Sequence, residues 1–128
     1  MKTLLHKLFI VLFAFGISSF NYSIDDVVTA IKSGNANQLS QYFDSMVEIT
    51  LHEKSNSYSR SQAEVILKDF FNSSQVKNFS IVHKGSNSGS EFCIGNLLTK
   101  SGDFRTTIFM KTRGERQVLQ EIRFEEKN

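Results

Sequence analysis

Asp44, Glu48 and His52 recur at intervals of four in the stretch YFDSMVEITLHEK. On a helix, that spacing would stack two carboxylates and an imidazole along one face, within reach of one metal ion or one transferred proton. His83 and Lys84 in IVHKGSNSG form a second polar cluster, and Tyr58 with Arg60 could rim a pocket from the start of a helical stretch. Cys93 is the sole cysteine, so no intrachain disulfide can form; flanked by Phe92 and Ile94, its thiol reads as core rather than nucleophile. His52 and His83 are the only histidines beyond residue 23, and neither has a second histidine or a cysteine at ligand spacing. No metal or other cofactor is therefore expected. The glycines of KGSNSGSE are not followed by GK[ST] and a helix, so they do not form a phosphate loop.

The elements that must position these residues change the meaning of the first cluster. Val47, Ile49 and Leu51 alternate with Glu48, Thr50 and His52, a period of two that predicts a strand after a turn at Asp44–Ser45. Glu48 and His52 then share a face but stand about 13 Å apart along it, too far for one metal ion. Three helices surround this strand in sequence. Ser23 and Asp26 open the first, whose apolar stripe is Ile24, Val27, Val28 and Ile31, with Gly34 at the stop. The second, NANQLSQYF, starts at Asn35 or Asn37 and turns Leu39, Tyr42 and Phe43 inward. The third, SRSQAEVILKDFFNSS, has Ser61 and Glu64 as its capping box and buries Ala63, Ile66, Leu67, Phe70 and Phe71.

After Phe79 the pattern becomes β-branched and aromatic runs divided by turns at Asn87–Gly89, Ser101–Gly102 and Gly114, which predicts a four-stranded antiparallel meander. A two-residue turn at Ser101–Gly102 sets Phe92, Ile94, Asn96 and Leu98 on one face with Arg105, Thr107 and Phe109. Cys93, Gly95, Leu97, Phe104, Thr106, Ile108 and Met110 take the other face. One face must cover the helices; the other is more apolar than a solvated face needs, which points to a partner such as a second copy of the chain. The fold class is α+β, three helices packed on a curved, mainly antiparallel sheet.

The first residues read as a signal peptide over residues 1–23. A basic start with Lys2 and Lys7 precedes a largely apolar run of thirteen residues from Leu8 to Phe20, short of the roughly 20 that span a bilayer, and cleavage is expected between Gly16 and Ser23. No cysteine follows for a lipid anchor, so a periplasmic or secreted domain over 24–128, without a stable membrane anchor, is expected. Both excess positive charges of the chain's +2 are Lys2 and Lys7, so the remaining domain is neutral and has no field to attract nucleic acid. Arg105, Lys111, Arg113, Arg116 and Arg123 are interleaved with Asp103, Glu115, Glu121 and Glu125, the pattern of a solvated sheet surface or cross-strand ion pairs.

The order of elements, with SGNANQLSQYFD leading into a strand and YSRSQAEVILKDFF after it, resembles the nuclear transport factor-like superfamily. Its members fold as a cone, three helices closing over the concave side of a bent sheet. YSRSQAEVILKDFF, FSIVHKGSNSGSEFCIGNLLTKSGDFR and LQEIRFE, in order, more closely resemble a family of small exported bacterial proteins, the domain of unknown function 4783. That resemblance covers residues 24–126 and implies the cone fold and export, with no established activity and no assigned site. Some enzymes similar in fold hold an acid or base inside the cone. In this sequence the inward positions of the first strand, Val47, Ile49 and Leu51, are apolar, and Glu48 or His52 would serve only in the reversed register. The expected pocket lining is Phe43, Val47, Ile49, Leu51 and Tyr58, with Phe70, Phe79, His83 and Phe92 opposite. The expected function is non-enzymatic binding of a small apolar ligand, a peptide or a second copy through the outer sheet face; the alternative is an isomerase- or dehydratase-like enzyme with His83 or Glu48 as base.

Overall fold

The computed structural model describes residues 23–127. The targeting segment expected over residues 1–23 lies outside them, apart from Ser23. Among the described residues no helix is long and apolar enough to cross a membrane. The chain runs α1 (Ile24–Lys32), α2 (Ala36–Ser40), β1 (Phe43–Leu51), β2 (Lys54–Ser59), α3 (Arg60–Ser74), β3 (Val76–Asn87), β4 (Ser90–Thr99), β5 (Gly102–Arg113) and β6 (Arg116–Glu126). The strands form one sheet in the order β2-β1-β6-β5-β4-β3. Every neighbouring pair is antiparallel except β1 with β6, which closes the meander against the first hairpin in parallel.

Local chemistry explains the helix starts. The Ser23 N–H donates to the Asp26 carboxylate at 2.9 Å, and the Asn35 side chain accepts from the Gln38 N–H. Helix α3 differs from the sequence expectation. Its cap is Ser59, whose hydroxyl accepts from the Gln62 N–H while the Gln62 side chain accepts from the Ser59 N–H. Both Ser59–Gln62 and Ser61–Glu64 satisfy the capping pattern, but β2 ends at Ser59 and enters the helix with no loop between. Glu64 instead accepts from the Asn37 amide, tying α3 to α2.

Strand β2 is the element without a sequence signal. The turn before it is His52–Glu53, both with positive φ (52° and 65°), the geometry for which Asn-Gly is the usual sequence. The strand itself, KSNSYS, is an exposed polar edge. The meander turns carry Gly89 and Gly114 at positive φ, whereas the middle one is Lys100–Ser101, flanked by the Thr99–Gly102 pair. That shifts the turn by one residue and leaves the expected faces unchanged: Phe92 pairs with Phe109, Ile94 with Thr107 and Asn96 with Arg105.

The core lies between the helices and one sheet face. Phe43, Val47, Leu67, Leu97, Ile108, Met110, Leu119 and Ile122 are fully buried, as is Cys93. Phe70 sits 4.7 Å from Phe124 and 5.2 Å from Phe104, the latter edge-on, and Phe71 completes the group 5.9 Å from Phe70. Each such pair adds about 0.5–1.5 kcal/mol to the burial of its rings.

Candidate functional site

Asp44, Glu48 and His52 do not converge. Asp44 faces the far end of the sheet, where its carboxylate accepts from Arg113 at 2.8 Å and from Gln120 at 3.0 Å. Burial alone would raise its pKa, but the Gln120, Ser45 N–H and Arg113 donors outweigh that and hold the carboxyl below the usual range. It is a latch between β1 and the β5–β6 hairpin. Glu48 is exposed on the sheet's outer face. His52 occupies the β1–β2 turn, its Nδ1 3.4 Å from Glu126.

The expected pocket lining divides between two faces. Phe43, Val47, Ile49, Phe70 and Phe79 are buried in the packed core, with Leu51 and Tyr58 packed at its margin. His83 and Phe92 are on the other side of the sheet. Unbroken alternation from Phe79 and Ile81 would put His83 on their face, but Val82 is a bulge: Ile81 pairs with Gly95 and His83 with Ile94, so the extra residue inverts the alternation. His83 therefore reaches the outer face and stacks near Phe92, ring centroids 5.5 Å apart. Among the described residues, no carboxylate or imidazole belongs to the buried set, whose polar members are Ser40, Thr50, Ser74, Thr99 and Thr106. Burial pushes the Cys93 thiol up, so this residue stays an inert core side chain. No cluster of three or more His, Cys, Asp or Glu suited to a metal ion occurs among the described residues.

The outer face carries the features that need explaining. Phe92, Ile94 and Phe109 are half-buried there, Leu98 is 39% exposed and the bulged Val82 is 71% exposed. Glu48 and Glu121 are direct neighbours across the parallel β1–β6 pair. Burial first, then the hydrogen bond with the Glu48 carboxyl, raise the pKa of Glu121; Arg123, 3.6 Å away, pulls it back only in part. Further along the same face, Val82, His83, Ile94, Gly95, Asn96, Arg105 and Lys127 line a half-open pocket of about 320 Å³. The Asn96 side-chain oxygen is buried without a hydrogen-bond partner. Clefts of about 580 and 380 Å³ flank the His52–Glu126 pair, and Phe70 and Phe104 line the smaller one.

Sequence reasoning set Asn96 and Arg105 on the correct face but had no reason to join them to His83 and Lys127. The bulge brings in His83, and IVHK carries no residue that marks one; Lys127 is held there by its N–H bond to the Asp103 carbonyl.

Three helices filling one side of a bent six-stranded sheet make a nuclear transport factor-like cone. A family profile described as Domain of unknown function (DUF4783) matches residues 24–125, and the chain belongs to that family. A DUF4783 family protein from Bacteroides fragilis is 32% identical, with 84% of this chain and 100% of that one covered and a TM-score of 0.78. One from Bacteroides ovatus is 30% identical over 80% of this chain and 94% of that one, also with a TM-score of 0.78. An NTF2-like protein of unknown function from Cytophaga hutchinsonii, 3% identical, shares the fold over 81% of this chain and 86% of its own, with a TM-score of 0.60. A search of curated proteins found no match.

Proposed function

We propose that the chain is an exported, non-catalytic recognition domain that works through the outer face of its sheet, binding a second copy of itself. The observation that carries this reading is the contrast between the two faces. The inner one is filled by rings and aliphatic side chains, while the outer one holds Phe92, Ile94 and Phe109 only half-buried in a contiguous band, with Leu98 and Val82 exposed beside it. A solvated sheet face needs no such band, and covering it would remove apolar surface from water at about 25 cal/mol per Å². The isomerase-like alternative needs a base inside the cone, and Glu48, His52 and His83 are all outside it. Export rests on the basic and then apolar N-terminal sequence.

Sedimentation equilibrium of the purified protein is the test of self-association. Dimer formation that Phe109→Lys abolishes supports the proposal; a clean monomer at high concentration overturns it. Phe109 stands opposite Glu121, so a lysine there meets a carboxyl and the sheet tolerates it. N-terminal sequencing of protein recovered from the cell envelope or medium tests export, with a mature end between Gly16 and Ser23 expected.

A further inference from the structure

We infer that the pocket opened by the Val82 bulge is a binding site for a small carboxylate with a hydrogen-bond donor beside it, an amino or hydroxy acid, free or as the end of a peptide. Three observations meet there. The first is an uncompensated positive charge. Arg105 and Lys127 line the pocket, and among the described residues neither makes an ion pair. Glu125, which stands opposite Arg105 in the β5–β6 register, leans instead toward Arg123 at 3.7 Å. The guanidinium fork is thus left for a ligand, and its planar donors match a carboxylate in two parallel bonds.

The second observation is the Asn96 side-chain oxygen, buried and without a partner. A buried acceptor in that state is a defect in an isolated domain and a specificity element in a binding site, because it discriminates for a ligand N–H or O–H. Asn96 and Arg105 are directly paired across β4 and β5, so the acceptor and the guanidinium start from neighbouring positions on one face. The third is shape. The bulge leaves Val82 and Ile94 as apolar walls, brings His83 to the rim as a further polar group, and borders a half-open space of about 320 Å³, at the small end of ligand sites. An acid lacking the donor would leave Asn96 unpaired, and an ester would leave Arg105 and Lys127 uncompensated.

The pocket shares its Ile94 wall with the apolar band, but its polar groups lie beyond that band. Asn96 is four residues beyond Phe92 on β4, about 13 Å along the strand from the Phe92–Phe109 pair.

The experiment is an amide-resolved NMR titration of the protein with N-acetylalanine, lactate, acetate and N-acetylalanine methyl ester, up to about 10 mM, the range in which weak single-residue contacts are read. Expected are shifts at Val82, His83, Asn96 and Arg105 with N-acetylalanine or lactate, at least fivefold weaker binding of acetate, and none of the ester. N-Acetyl-Ala-Ala binding more tightly than lactate assigns the carboxyl end of a peptide; the reverse assigns a free hydroxy acid. Arg105→Met, which keeps the aliphatic stem, removes the response, and Lys127→Met weakens it severalfold if the first variant fails to fold. The inference is overturned if no pocket amide moves, if acetate binds as well as the donor-bearing acids, or if the folded variants respond like the parent.

Discussion

Substituting Gly95 with alanine separates a filled cone from a hollow one. Gly95 lies in β4 on the inner face, between Ile81 and Thr106. A Cβ built there would fall 2.2, 2.7 and 2.8 Å from the Cζ, Cε1 and Cε2 atoms of Phe79. Carbon atoms rest at about 3.5–4.0 Å, so the ring would have to withdraw by about 1.5 Å. Phe79 is 4% exposed and packed among the buried side chains, so there is no solvent into which it can turn. Overpacking of this kind costs about 1–3 kcal/mol. The smaller entropy of the unfolded alanine variant returns about 0.4–1 kcal/mol. The net expectation is a loss of about 1–2 kcal/mol.

Gly85 supplies the control. A Cβ there would fall 2.2 and 2.5 Å from Phe92, an equal collision, but on the outer face, where the ring is only half-buried and can swing outward. Gly85→Ala should change stability by less than about 0.5 kcal/mol. Urea unfolding of both variants at low protein concentration reads the difference through the midpoint at constant slope. Equal effects, or a neutral Gly95→Ala, would mean that Phe79 has room to move and that the interior is not filled.

Three further outcomes follow from the same contacts. Because Glu121 holds its proton above the usual 4.5, the folded state binds more protons than the unfolded one just above that pH, and stability falls as pH rises through that window. Glu121→Gln should flatten that decline and raise the denaturation midpoint at pH 7; an unchanged pH profile would contradict the carboxyl pairing. Asp44 has the opposite sign, so the stability it contributes is lost as pH falls below the usual 3.8, and Asp44→Asn should abolish that acid-side loss in thermal melts. At the α3 start, Ser59→Ala should cost about 1 kcal/mol in urea unfolding, whereas Ser61→Ala should cost little, reversing what the sequence alone suggests.

Much of the fold was legible because burial and periodicity agree over long stretches. The meander's faces follow from strict alternation through Phe92–Leu98 and Phe104–Met110, and a turn displaced by one residue does not disturb them. The helices follow from apolar spacing and caps, with an ambiguity at α3 that only the end of β2 resolves. Strand β2 was hidden because its turn uses His52 and Glu53 at positive φ, where residues without that preference give no warning. The candidate site was less legible for one physical reason. A bulge inserts a residue that looks like any other β-former, and Val82 thereby moves His83 to the opposite face from the one its spacing to Phe79 implies. The shared position of Glu48 and Glu121 depends on a parallel pairing between the first and last strands, which no local pattern encodes.

Amide NMR spectra across a dilution series read directly whether the outer sheet face is the working surface. Concentration-dependent shifts should gather at Phe92, Ile94, Thr107, Phe109 and Glu121, with α1 and α3 unmoved. Spectra that do not change with concentration, or shifts confined to the helices, would contradict that role.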